Sequence, residues 1–378
     1  MKESQLILVT KSDVSWLHGE TRRQIRGCAV NAYNDVTLYT PDGEGQYPAL
    51  WTRDFSHMVE NAAEFIPHDH ISAAIQYLLD AQREDGCIPD RIRADGRAIY
   101  SAGPDDQPLG EPPTDNSQFM VKLVADYVAL TQDTGFFSRI YGQLISAMNY
   151  TPRHSSGLVH IDSQIIRSPY GFTDTVAKTG ELLFSSLLYW EASNKLIKMC
   201  KNIGDLSSAE EFQSRVDSIE KNIISLWNEE SGMFQAASGC CRQIDIWGNA
   251  YAVYIGFPLG DKKSRIIDYL AETFNAIAMK GQVRHLPKPE HWEKTLYTVE
   301  PETYQNGAYW GTASGWLAFA LFEKHPYLSR KIYLDLIADY RANGVFECIN
   351  TGYSKIINYV VSVTNPLGAI RKITALTA

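Results

Sequence analysis

Several short stretches of this chain bring a carboxylate or amide together with an aromatic ring. They are "LWTRD", "PPTDNS", "YGFTDT", "RQIDIWGNA" and "YQNGAYWG". Each stands just before, or at the start of, a long segment with apolar residues at helical spacing. In the first, Trp51 offers a flat stacking face, and Arg53 and Asp54 offer hydrogen bonds to hydroxyl groups. Asp115, Phe172, Asp174, Trp247, Asn249, Tyr304, Gln305, Asn306 and Trp310 occupy comparable places in the other four. Taken singly, each junction is an ordinary helix N-cap, and Asp115 with Gln118 three residues on reads as a capping box. Repetition is what favours a site. If alternate helices form an inner ring, their N-terminal ends face one side, and the polar and aromatic residues there converge on one pocket.

The elements that would position these residues are helices in pairs. Helical patterns cover roughly 20–33, 51–65, 70–82, 115–131, 136–150, 174–200, 208–227, 245–257, 262–279, 307–322 and 327–340, with a last one after Pro366. Short turns join them, as in an array of αα-hairpins. Strand-like material is confined to pieces such as "GCIPDRIRADGRAIYSAG", where Asp95–Gly96 reads as a hairpin turn. No long linker or low-complexity tract divides the sequence, so residues 1–378 are expected to form one closed, all-α domain.

Composition narrows the partners. The net charge of -9 argues against nucleic acid or an anionic membrane surface. With 8 Trp and 21 Tyr, the chain is well supplied with rings that stack on the apolar faces of sugars, although such rings equally fill cores. The 6 cysteines form neither a CxxC pair nor a compact disulfide framework and read as free thiols. With no signal-like or membrane-spanning run, a cytoplasmic location is expected. The "PHDH" stretch at Pro67–His70 reads as a surface turn, and no HExxH, GxGxxG or P-loop occurs, so no metal or other cofactor is expected.

The order of these segments resembles the six-hairpin, (α/α)6-barrel glycoside hydrolases. It is closest to the clan of trehalases, processing α-glucosidases and alkaline/neutral invertases. "PPTDNSQFMVKLVADYVALTQDTG" resembles the invertase-type segment, and "LWTRD" the element that binds the terminal sugar. "YGFTDTVAKTGELLFSSLLYW" stands, in chain order, where these families carry the acidic proton donor. "YQNGAYWGTASGWLAFAL" resembles their NG-x-x-W segment, and "NGVFECINTGYS" the segment with the general base, with Cys348 and Ile349 where aromatics are usual.

The resemblance implies a glycoside hydrolase, inverting and exo-acting on a small glycoside or oligosaccharide, with an α-glucoside-like substrate favoured. Inversion needs a protonated carboxyl to assist the leaving oxygen and an ionised one to activate water, roughly 6.5–9.5 Å apart. Asp174, next to Phe172 at an expected helix start, is the candidate acid and is expected to be the more desolvated of the pair. Glu347, in an expected loop, is the candidate base, with Glu300 and Glu302 as runners-up. Asp54 and Asp115 are assigned to sugar hydroxyls. Lys178, placed with Glu181 one and two helical turns beyond Asp174, is read as positioning the acid or a hydroxyl, or as a solvated lysine. Two other readings use the same barrel. One is a sugar epimerase or unsaturated-uronyl hydrolase, the epimerase centred on pocket histidines, and the other is a non-catalytic carbohydrate-binding protein.

Overall fold

A computed structural model describes residues 9–377. Its helices are α1 Lys11–Gly27, α2 Thr52–Ala62, α3 His68–Asp80, α4 Asn116–Thr131, α5 Thr134–Tyr150, α6 Leu183–Asn202, α7 Leu206–Asn222, α8 Ile246–Tyr254, α9 Lys262–Glu272, α10 Phe274–Ile277, α11 Ser314–Phe322, α12 Pro326–Asn343 and α13 Val361–Thr377. Six of them make an inner ring. α2 packs on α4, α4 on α6, α6 on α8, α8 on α11 and α11 on α13, and α13 returns to α2. The other long helices pack outside this ring, as α7 does on α6 and α12 on α11.

Sequence patterning explains the two layers. α8, "IWGNAYAVY", is buried along its whole length, as a helix with neighbours on all sides must be. α7 and α9 bury only one stripe, which holds Ala209, Phe212, Val216 and Ile219 in α7 and Ile266, Ile267 and Leu270 in α9. Successive helices are antiparallel hairpin partners, so the inner six run the same way and open at the same end of the ring.

Loops and short strands cover that end. The largest sheet has five antiparallel strands in the order Ala278–Met279, Gln282–Val283, Tyr309–Trp310, Phe346–Asn350 and Tyr353–Ile357. A three-stranded sheet joins Ala49–Trp51 to the hairpin Arg91–Arg93 and Ala98–Ile99, with the Asp95–Gly96 turn between its last two strands.

Several boundaries differ from the sequence reading. Asp174 does not open a helix. It ends the short 3-10 turn Gly171–Thr173, and α6 begins nine residues later at Leu183. Lys178 and Glu181 therefore lie on an irregular connection and a short strand, not on a helix face. The segment from Gly307 first pairs in the sheet, so α11 starts only at Ser314. Glu347 lies within a strand, not a loop. The 70–82 helix begins at His68, inside the "PHDH" stretch, and the final helix begins before Pro366, not after it.

Candidate active site

A cavity of about 310 Å3 opens at the N-terminal end of the inner ring. Its wall includes Tyr47, Trp51, Arg53, Asp54, Arg91, Arg93, Phe172, Asp174, Tyr297, Tyr304, Glu347, Lys355 and Tyr359. Chain order explains the convergence. Arg53 and Asp54 lie in the first turn of α2, Phe172 and Asp174 precede α6, Tyr304 precedes α11 and Tyr359 precedes α13. The sheet contributes Glu347 and Lys355 from adjacent strands.

Below the wall lies a buried charge lattice. Asp90 accepts from Arg53 at 2.8 Å and from Arg91 at 2.8 Å. Asp115 accepts from Arg53 Nε at 3.3 Å and from the backbone N–H of Gly171 at 2.9 Å. Asp115 thus makes no capping hydrogen bond in its own helix, contrary to the capping-box reading. Residue 171 must be glycine, because a Cβ there would stand 1.5 Å from Arg53 Nε. The arrangement lays the Gly171–Thr173 turn directly on the guanidinium and fixes Asp174 at the cavity edge.

Asp174 is held by Gln305. The Gln305 Oε1 accepts from both the backbone N–H and the hydroxyl of Thr175, at 2.9 and 2.8 Å. With its oxygen engaged, the Gln305 Nε2 must face the carboxyl, and it donates to Asp174 Oδ1 at 2.6 Å. Burial pushes the Asp174 carboxyl up to about 6, against the pull of Arg53. Glu347 is lifted further, to about 7, again by burial. Its Oε1 accepts from the Tyr47 hydroxyl at 2.9 Å, and Lys355 Nζ lies 3.6 Å from Oε2. Among the described residues, Glu347 Oε2 has no hydrogen-bond partner. Asp54, raised to about 6 by burial, accepts from the Tyr359 hydroxyl at 2.6 Å. Glu347 is 2% exposed and Asp174 partly exposed, so the base candidate is the more enclosed of the pair, the reverse of the expectation. The strand that carries Glu347 is flanked on both sides by sheet partners, Tyr309–Trp310 and Tyr353–Ile357, whereas the turn carrying Asp174 forms the cavity edge.

Aromatic rings complete the wall. Trp51 meets Tyr47 edge-on at 5.4 Å, and the Arg91 guanidinium lies over the Trp51 ring at 4.5 Å. Lys355 Nζ sits 3.2 Å from the centre of the Tyr304 ring. At the rim, Asp105 binds Arg91 at 2.7 Å and Arg97 at 2.7 Å and also pairs with Arg93.

Of the residues singled out in the sequence, Trp51, Arg53, Asp54, Phe172, Asp174, Tyr304 and Glu347 line the cavity. The others lie outside the wall. Asp115 and Gln305 hold wall residues in place, as described above. Trp247 and Trp310 are fully buried, each about 6 Å from Phe172, and Trp310 Nε1 donates to the Tyr304 carbonyl at 3.2 Å. Asn249 bonds the backbone of Phe234 and Asp245, and Asn306 joins Trp292 to Val299. Lys178 turns away, toward Asp245 at 3.8 Å and over the Trp292 ring at 4.4 Å. Glu302 is tied to Arg284, His291 and Asn350, which together bring it down to about 2. Neither Glu300 nor Glu302 is part of the wall.

Tyr47, Arg91, Arg93, Tyr297, Lys355 and Tyr359 escaped the sequence reading. One signal was available for Lys355. The Thr351–Gly352 turn between alternating segments marks a hairpin, which brings Lys355 beside the Glu347 strand. The tyrosines carry no such mark.

No family model and no curated sequence matches the chain. Solved structures do. A family GH78 rhamnosidase from Bacillus sp. GL1 superposes with a TM-score of 0.64 and 14% identity over 97% of this chain, which spans only 35% of that enzyme. The GH63 mannosylglycerate hydrolase of Thermus thermophilus, solved with glucose, gives a TM-score of 0.66 and 13% identity between near-complete chains, 94% of this one and 100% of that one. The glucoamylase of Saccharomycopsis fibuligera gives 0.65 and 11%, covering 98% and 97%. At this level of identity the likeness is one of architecture, and the chain has the six-hairpin (α/α)6 fold that these glycoside hydrolases share.

Proposed function

We propose that this chain is a glycoside hydrolase that removes a terminal sugar with inversion. The carrying observation is that Asp174 and Glu347, 173 residues apart in sequence, face one aromatic-walled cavity with both carboxyls lifted by burial. The same fold in three glycoside hydrolases supports the reading. Asp174 at the cavity edge donates its proton to the departing oxygen. Glu347 accepts a proton from water through Oε2, the oxygen that no donor among the described residues occupies. The Tyr47 hydroxyl and the Lys355 ammonium stabilise the ionised form of Glu347. Asp54 and Arg53 take sugar hydroxyls, and Trp51 and Phe172 supply apolar contact.

Between about pH 6 and 7 the two carboxyls carry about one proton between them, held mostly on the more enclosed Glu347, and the productive arrangement is the less populated one with the proton on Asp174. Their apparent titrations belong to the pair. The cavity volume is at the small end of ligand sites, roughly 300–1,000 Å3, which suits one sugar ring and exo-action. An α-glucoside is the favoured substrate class. The carboxyls at the cavity favour hydrolysis over epimerisation by paired histidines. His57 and His285 are buried beyond the wall, His57 6.0 Å from Phe172 and His285 tilted against Trp247 at 3.8 Å. Among the described residues no helix is long and apolar enough to cross a membrane. All six cysteines are free thiols, in keeping with a reducing, cytoplasmic setting.

A glycoside library, with proton NMR of the first-formed sugar, tests the reading. Release of one terminal sugar with inverted anomeric configuration is expected. Retention would reject the water-activating role of Glu347, and inertness across the library would reject hydrolysis.

A further inference from the structure

The connection between Asp174 and α6 packs against two other loops, and their meeting point holds an unusual group of side chains. Cys240 and Cys241 are adjacent, with their sulfurs 3.8 Å apart. Cys241 has φ +64, the left-handed region that non-glycine residues rarely adopt. Glu293 reaches in from the third segment and accepts from the Cys241 N–H at 3.0 Å. The two sulfurs and a Glu293 carboxyl oxygen lie within 4.8 Å of one another. The Lys294 carbonyl oxygen is 3.4 Å from Cys241 Sγ.

These distances fit a metal ion. Two thiolates, each about 2.3 Å from one tetrahedral zinc, stand about 3.8 Å apart. A carboxylate completes three ligands, and the Lys294 carbonyl is placed for a fourth. We propose that Cys240, Cys241 and Glu293 form a binding site for a thiophilic divalent cation, with zinc the physiological class. Binding replaces two S–H bonds by two metal–sulfur bonds and releases two protons.

The surroundings are built, not adventitious. Cys241 packs with Val176, Ala236, Leu286 and Trp292 in a small core separate from the main one. Thr179 anchors the cysteine loop, accepting from the Gly239 N–H at 2.9 Å through its carbonyl and from the Cys240 N–H at 2.9 Å through its hydroxyl. The segment bearing Glu293 bonds back to the Asp174 connection, Ala177 N–H to the Lys294 carbonyl at 3.1 Å and Leu296 N–H to the Thr175 carbonyl at 2.7 Å. It then delivers Tyr297 to the cavity wall. A metal here clips three loops together beside the cavity without entering it.

The test uses the full-length chain, kept reduced and stripped of metal with a chelator, then titrated with cadmium as a thiolate-seeking probe and with zinc in competition. The expected result is an ultraviolet thiolate-to-cadmium band that saturates at one ion per chain, is displaced by zinc, and comes with a rise in melting temperature. Cys240→Ser, at a partly exposed position, should abolish the band, and Glu293→Gln should weaken it. Cys241→Ser tests the buried ligand, and if it does not fold, Cys240→Ser still decides. A band that survives in Cys240→Ser would place the ion on other cysteines and overturn the proposal. So would the lack of a band in the parent chain, or a Cys240–Cys241 disulfide that resists reduction.

Discussion

The inner ring carries charge at two depths, and the two depths are treated differently. At the cavity end of α2 is Asp54, and six residues on, about 9 Å deeper, is Glu60. Burial raises Asp54 to about 6, whereas Glu60 is brought below its ordinary value, chiefly by Lys122 and against the penalty of burial. Lys122, in the middle of α4, is fully buried and lies 2.6 Å from Glu191 and 3.6 Å from Glu60, within reach of the Tyr251 hydroxyl at 2.8 Å. Lys195 pairs with Asp126 beside it, and Asp126, at about 6, is the one acid of this deeper group that burial raises. In the deeper layer a cation is close to every acid. In the cavity, burial outweighs the cations for Asp54, Asp174 and Glu347 alike. The first arrangement holds helices together. The second keeps protons mobile near neutral pH, at the expense of stability.

That contrast can be broken from either side. The largest effect is expected in turnover. Glu347→Gln and Asp174→Asn should each lower kcat by about 10²–10⁴-fold, the usual contribution of a positioned acid or base. Steady-state rates on the best glycoside from the library check this. Next comes Lys122→Met, which leaves the part-buried Glu60 and Glu191 without their shared cation, with only His57 and the Tyr251 hydroxyl close by. It should cost about 3–5 kcal/mol in urea unfolding. Glu347→Gln should do the opposite and stabilise.

The sign of that gain follows from proton linkage. A carboxyl raised from its unfolded value to about 7 is fully stabilising below the unfolded value, and that contribution is lost as pH rises through the folded one. At pH 8 the parent carries the buried anion and the variant does not. The variant should therefore be more stable there by roughly 1–3 kcal/mol, with the difference shrinking toward pH 5. Equal stability at both pH values would show that Glu347 is not under strain. The smallest effect concerns Trp51. Trp51→Ala should weaken sugar binding by about 1–3 kcal/mol in calorimetry, provided the free part of its surface stacks on the ring.

The pH dependence sharpens the same comparison. Glu347 must lose its proton and Asp174 must keep one, so kcat/KM should form a bell with its maximum between the values of about 6 and 7 carried by the pair. The deeper pairs, with Glu60 lowered and Lys122 raised, should leave no mark on that profile.

Periodicity in the sequence is enough to reveal the helices, because inner helices such as α8 and α11 are apolar nearly all round and outer ones keep a stripe. It is also enough to point to the cavity end, because polar residues gather where inner helices begin. The depth of each polar residue is less legible. Asp115 and Asp54 look alike at helix entrances, yet one is consumed by Arg53 and Gly171 and the other faces the cavity. Gln305 reads as a sugar ligand, yet Thr175 claims its oxygen and its Nε2 donates to Asp174. Trp247 and Trp310 read as wall and are backing. Spacing records the helix face, whereas which neighbour reaches a side chain first depends on contacts hundreds of residues apart, as in Tyr47 with Glu347.

The central claim is that Asp174 supplies the proton and Glu347 activates the water. It is tested most directly by comparing Asp174→Asn and Glu347→Gln on a glycoside with a poor leaving group and on the corresponding glycosyl fluoride, whose departure needs little protonation. The account predicts that Asp174→Asn loses most activity on the glycoside but retains much of it on the fluoride, and that Glu347→Gln fails on both. Wild-type turnover by Glu347→Gln, or an equal loss on both substrates by Asp174→Asn, would contradict it.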